Sequence, residues 1–130
     1  MTGARLSGRF VPGAKGPLFV LLREPRAASR GCVLVVPPFA EEMNKCRRMV
    51  TELAVQLAER GIATVVPDLY GTGDSAGDFE DADWETWIGD LGAVASWARD
   101  GGHRLTGCLA IRLGAALALD AASAGQLPAV

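Results

Sequence analysis

Few side chains in this chain of 130 residues could carry out acyl or proton-transfer chemistry. There is one histidine, His103, so any mechanism that needs an imidazole base must use that residue. The three cysteines, Cys32, Cys46 and Cys108, form no C-x-x-C pair, and their odd number favours free thiols in a reducing compartment. Three short segments carry more. In Pro37-Pro38-Phe39-Ala40-Glu41-Glu42 neither proline has an N–H, so Phe39 supplies the first amide and is a candidate oxyanion donor. The plainer alternative is a rigid connector with Glu41 and Glu42 solvated. In Asp68-Leu-Tyr-Gly71-Thr-Gly73-Asp-Ser75 the glycines permit positive φ, and Asp68 can accept hydrogen bonds from the loop's own amides. Ser75 is a remote candidate nucleophile there. The third segment, Ala110-Ile111-Arg112-Leu113-Gly114, has the small-x-nucleophile-x-small frame of a G-x-S-x-G elbow, but Arg112 occupies the nucleophile position.

Other chemistries fit poorly. The glycine spacing at 71, 73 and 77 matches neither a P-loop nor a dinucleotide fingerprint. The acids at 74, 78, 80, 81 and 83 do not follow a calcium-loop pattern, so neither a metal nor a cofactor is expected. Thirteen basic against fifteen acidic residues give a net charge of −2, which offers no field for nucleic acid or an anionic membrane. The N-terminus, MTGARLSGRF, lacks the apolar stretch of a signal peptide, and no apolar run reaches the ~20 residues of a membrane span. A cytoplasmic protein is the expectation.

The elements that position the three segments alternate in type. Phe10-Val11 and Leu18–Leu22 read as strands, followed by the apolar run Cys32–Val36, the pattern of a strand covered on both faces. Cys46, Met49, Val50, Leu53, Ala54, Leu57 and Ala58 then mark one face of a helix over 44–60, with Asn44 as N-cap and Gly61 ending it. Ile62–Val66 is a further buried strand and 70–82 a loop. Asp83 can cap a helix whose apolar face carries Trp84, Trp87, Ile88, Leu91, Val94, Ala95 and Ala98, with the tryptophans as core. A strand over 105–111 and a helix over 113–124 follow. The order β-β-β-α-β-α-β-α implies a mostly parallel sheet with helices on both faces. Ligands of such sheets bind beyond the carboxyl ends of the strands, where all three segments lie.

Together the segment after the third strand, the D-x-x-G-x-G-x-S loop and the elbow resemble the N-terminal half of an α/β-hydrolase, over residues 8 to 125. The stretches PPFAEEMNKCRRM, DLYGTGDSAGDF and IRLGAALALDAA look most like the hydrolase-like proteins associated with the exosortase A system, second type, which accompany bacterial exopolysaccharide loci. The resemblance implies a single domain of which residues 1–130 are the first half, truncated after the elbow helix. It matches the Phe39 and Leu113 amides to oxyanion donors and Arg112 to the nucleophile, and it places the acid and histidine on later strands. An arginine has no lone pair for acyl attack and stays protonated. His103 precedes the fifth strand and is expected on the surface, roughly 20–25 Å from Arg112. The family's strand order, 1-2-4-3-5, would leave 105–111 as an unpaired edge through which the chain self-associates.

A cation opening a helix is disfavoured by the macrodipole, so a negative partner is expected for Arg112. It is either internal (Glu41, Glu42 or Asp68) or an anionic ligand, carboxylate or phosphate, held with the Phe39 and Leu113 amides. The first case leaves an ion pair in a retained fold. The second makes a pseudo-hydrolase with a small-molecule binding pocket lined by Glu41, Glu42 and Asp68. The alternative function is a hydrolase with its nucleophile elsewhere, at Cys46 or Ser75.

Overall fold

The computed structural model describes residues 4–36, 38 and 41–127, with only the backbone for 41–45. Strands β1 (Arg5–Gly13) and β2 (Gly16–Glu24) form an antiparallel hairpin. β3 (Gly31–Val36), α1 (Glu41–Glu59), β4 (Ile62–Pro67), α2 (Trp84–Asp100), β5 (Leu105–Ala110) and α3 (Leu113–Ser123) follow. The sheet order is β1-β2-β4-β3-β5, with β3 parallel to both β4 and β5 and β2 antiparallel to β4. Helices cover both faces: α1 packs on β4 and β2, α2 and α3 on the other side. Fold class and strand order are those anticipated.

Two boundaries differ from the sequence expectation. The first strand is not the short Phe10-Val11 piece but nine residues long. Its polar composition hid it, because only Val11 of the strand is buried, so the apolar signal never accumulates. Helix α1 begins at Glu41, three residues before Asn44, which therefore lies inside the first turn and is not the cap. Acids at 41 and 42 suit the positive end of the macrodipole and extend the helix in that direction.

The main core lies between the sheet and α2/α3. Leu18, Val20 and Leu22 from β2, with Leu34 and Val36 from β3, meet Trp87, Leu91, Val94 and Leu117. Trp84 and Trp97 pack against this core, as their helical spacing implied. Asp83 caps α2 by accepting the Thr86 amide at 2.7 Å. A smaller layer under α1 contains Val35, Val50, Ala54 and Ala58. Beyond β5 the sheet has no further strand among the described residues. An apolar groove of about 410 Å³ runs there, lined by Leu105, Cys108, Ala110, Leu119 and Leu127.

Candidate functional site

The strand-to-helix turn after β5 is abrupt. The Ile111 amide still donates to the Val36 carbonyl at 3.1 Å, which extends the ladder one residue past the strand. At Arg112 the backbone reverses, with φ 54° and ψ −121°, and Leu113 opens α3. Gly114 N–H donates to Ile111 O at 2.9 Å and Ala115 N–H to Arg112 O at 2.8 Å, which closes the turn. Arg112 is the one non-glycine residue at positive φ among the described residues. This is the strained geometry by which an elbow lifts one side chain clear of the sheet. The side chain so presented is an exposed guanidinium. Leu113, 54% exposed, contributes one of the unpaired amides that open a helix.

The loop after β4 is built by its own hydrogen bonds. Asp68 is buried and accepts the Asp74 amide at 3.0 Å. Gly73, at φ 49°, lies so close that a Cβ there would collide with the Asp68 carboxylate. Ser75 Oγ donates to the Asp68 carbonyl at 2.5 Å and accepts the Phe19 amide at 2.7 Å. Both roles of that hydroxyl are thus taken by the backbone, and Ser75 ties the loop to β2. Burial raises the Asp68 carboxyl above its ordinary range, against the lowering effect of the Asp74 amide and the Arg47 charge.

Sequence inspection missed Asp90. It is 1% exposed in α2, and its Oδ2 accepts the Tyr70 amide at 2.9 Å while Trp87 Nε1 donates to the Tyr70 carbonyl at 2.9 Å. Burial raises its pKa also, opposed by the Tyr70 hydrogen bond. A signal was present: position 90 lies three residues after Trp87 and four before Val94, on the apolar stripe. This carboxylate anchors the loop from below.

The remaining candidates are spread out. Phe39 lies outside the described residues, and for Glu41 and Glu42 only their place in the first turn of α1 is described. Arg112 and Leu113 are adjacent after the end of β5, while Asp68 follows the end of β4, two strands away in the sheet. His103 sits before β5, at the opposite edge of the sheet from Arg112, as anticipated. It is not a surface histidine, however. Its side chain is 13% exposed, with Nε2 3.9 Å from Oε2 of Glu24, the last residue of β2. All three cysteines are free, and burial pushes the Cys32 thiol up to about 11, far from a reactive thiolate. Among the described residues no group of His, Cys, Asp and Glu is placed to hold a metal ion. No helix among them is long and apolar enough to cross a membrane.

A mixed sheet in the order 1-2-4-3-5, helices on both faces and a strained elbow after the fifth strand define an α/β-hydrolase fold. The family model of the X-Pro dipeptidyl-peptidases (S15 family) matches residues 19–125, and the chain belongs to that family. No curated protein matches it. Among solved structures it is similar to Est1E from Butyrivibrio proteoclasticus with ferulic acid bound, at 21% identity and a TM-score of 0.79, covering 91% of this chain and 48% of that one. The serine hydrolase XC6422 from Xanthomonas campestris, described as lacking a lid, is 30% identical with a TM-score of 0.76, over 92% of this chain and 56% of that one. An α/β serine hydrolase homologue from Coxiella burnetii gives 24% and 0.74, over 94% and 58%. The chain thus spans about half the length of the structures it matches.

Proposed function

We propose that this chain is the elbow-bearing half of an α/β-hydrolase-type domain in which hydrolysis has been replaced by binding of an anionic small molecule. One observation carries the proposal: the elbow backbone is kept at Arg112 while its side chain cannot attack a carbonyl. The elbow position lies inside this chain, so its occupant is the same however far the whole protein extends. A guanidinium beside the amides that open α3 suits a carboxylate or phosphate, with the Leu113 amide as a donor; the Phe39 amide and a wall of Asp68, Glu41 and Glu42 are what the sequence resemblance adds to that reading. Hydrolysis through another residue is the weaker reading. Ser75 spends its hydroxyl on two backbone partners, and His103 is at the far edge of the sheet.

The three sequence stretches quoted above support a place among the exosortase A-associated hydrolase-like proteins and a cytoplasmic location near exopolysaccharide synthesis. Two measurements test the function. Purified protein should neither label with a fluorophosphonate probe nor hydrolyse short p-nitrophenyl esters. Inorganic phosphate should raise its melting temperature, and Arg112→Gln should abolish that rise. Ester turnover that disappears in Arg112→Ala would overturn the proposal, as would a phosphate effect indifferent to Arg112.

A further inference from the structure

A second cleft lies away from the elbow, between α1 and the β2–β4 part of the sheet. Its volume of about 110 Å³ is somewhat below the ~150 Å³ that accommodates benzene in an apolar cavity. Leu21, Val50, Ala54 and Val66 provide an apolar wall. Arg23, Arg47, Thr51, Thr64 and Asp68 supply the polar part of the lining, and two of them stand out. Thr64 is 1% exposed and its Oγ1 has no hydrogen-bond partner, an arrangement that native interiors avoid. Arg23 is half-buried and belongs to none of the ion pairs found among the described residues. The two residues are cross-strand partners in the antiparallel β2–β4 ladder, so their Cβ atoms stand about 5 Å apart on one face. At the other end of the cleft the Arg47 charge acts on Asp68, the one acid in the lining.

An orphan hydroxyl beside a half-buried guanidinium, with an apolar wall behind them, is the outline of a small amphiphilic anion. We propose that this cleft binds a short-chain monocarboxylate of about three to five carbons, a size set by the cavity. Its carboxylate pairs with Arg23 and accepts the Thr64 hydroxyl proton, and its alkyl chain lies on Leu21, Val50 and Val66. Phosphate fits less well, since it leaves the apolar wall empty. Ordered water would satisfy Thr64 alone. The site is independent of Arg112 and stands whether or not the elbow binds an anion.

Butyrate titrated into the full chain, followed by backbone amide shifts, tests this. The expected result is saturable binding with shifts centred on residues 21–23 and 64–66. Butyramide should bind about tenfold more weakly, the usual worth of exchanging a charge-assisted hydrogen bond for a neutral one. Thr64→Val and Arg23→Gln should each weaken butyrate by a similar factor. Without ligand, Thr64→Val should melt higher than wild type, because an unsatisfied hydroxyl is gone; this also shows that the variant folds. Equal binding of butyramide, absence of saturation, or binding lost in Arg112→Gln but kept in Arg23→Gln would each overturn the proposal.

Discussion

At φ 54° and ψ −121°, residue 112 occupies backbone space that a Cβ makes costly. Non-glycine residues in such regions carry about 1–3 kcal/mol of strain. Arg112→Gly removes it, but glycine gains freedom in the unfolded chain, worth about 0.5–1 kcal/mol in the other direction. Arg112→Ala keeps the Cβ and so keeps the strain. Both variants delete the guanidinium and every contact it makes, so those contacts cancel when the two are compared. Glycine should therefore be more stable than alanine by about 1 kcal/mol, the strain less the entropy term. In a relaxed helix or strand the order is the reverse by about 0.5–1 kcal/mol, so the sign alone is diagnostic. For a chain of this size the difference corresponds to about 3–5 °C in melting temperature. Paired urea and thermal melts of the two variants by circular dichroism measure it. An alanine variant as stable as the glycine variant, or more so, would show that residue 112 is not held in the elbow conformation, and the argument for an elbow would fail with it.

Ser75→Ala should destabilise the fold by about 1–3 kcal/mol in urea melts, because the part-buried Phe19 amide loses its acceptor. A change below about 0.5 kcal/mol would mean that the hydroxyl does not lock the loop. Burial raises the Asp90 carboxyl above its ordinary 3.8, so the folded state binds that proton more tightly than the unfolded state does. Its contribution is therefore most favourable at acid pH and is lost as pH rises through the raised folded value. The stability of Asp90→Asn relative to wild type should accordingly improve from about pH 4 to about pH 7, and a constant difference would refute the shift. Arg112→Ser should remain unlabelled by fluorophosphonate in this chain, since His103 lies across the sheet; stoichiometric labelling at position 112 would refute that. We also propose that the chain self-associates through residues 105–111, where β5 has no further strand beside it among the described residues and borders the apolar groove. Sedimentation at rising concentration should show dimers or larger species, and Cys108→Lys at an exposed edge position should reduce them. A monodisperse monomer at high concentration would count against it.

The parts of the fold that were legible in the sequence are those whose burial is one-sided or complete. Cys32–Val36 and Ile62–Val66 announce themselves because both faces are covered, and α2 does so through its apolar stripe. The hairpin partner β1 stayed faint because Leu6 and Phe10, at 54% and 62% exposed, bury little of their apolar surface. The elbow was legible as a pattern of small residues around position 112, but its φ was not, since arginine gives no hint of a left-handed backbone. Asp90 was marked only by its place on the apolar stripe of α2, and what Asp90 and Thr64 do was hidden for a related reason. Their importance comes from what packs around them from distant strands, which spacing within one segment does not encode.

The arginine at the elbow bears on how that geometry is held. If the strained conformation depended on the residue there, a glycine would be needed, since ψ −121° lies outside the left-handed helical region that asparagine and aspartate tolerate. Arg112 lacks that freedom, so the conformation is imposed by its surroundings. Ile111 is still tied to Val36, Gly114 and Ala115 close the turn, and α3 is fixed by Leu117 and Ala121 in the core. The turn therefore persists whatever side chain it presents, and chemistry can be exchanged at that position without rebuilding the fold. Within this chain the elbow is a rigid mount, and the side chain it presents is a guanidinium.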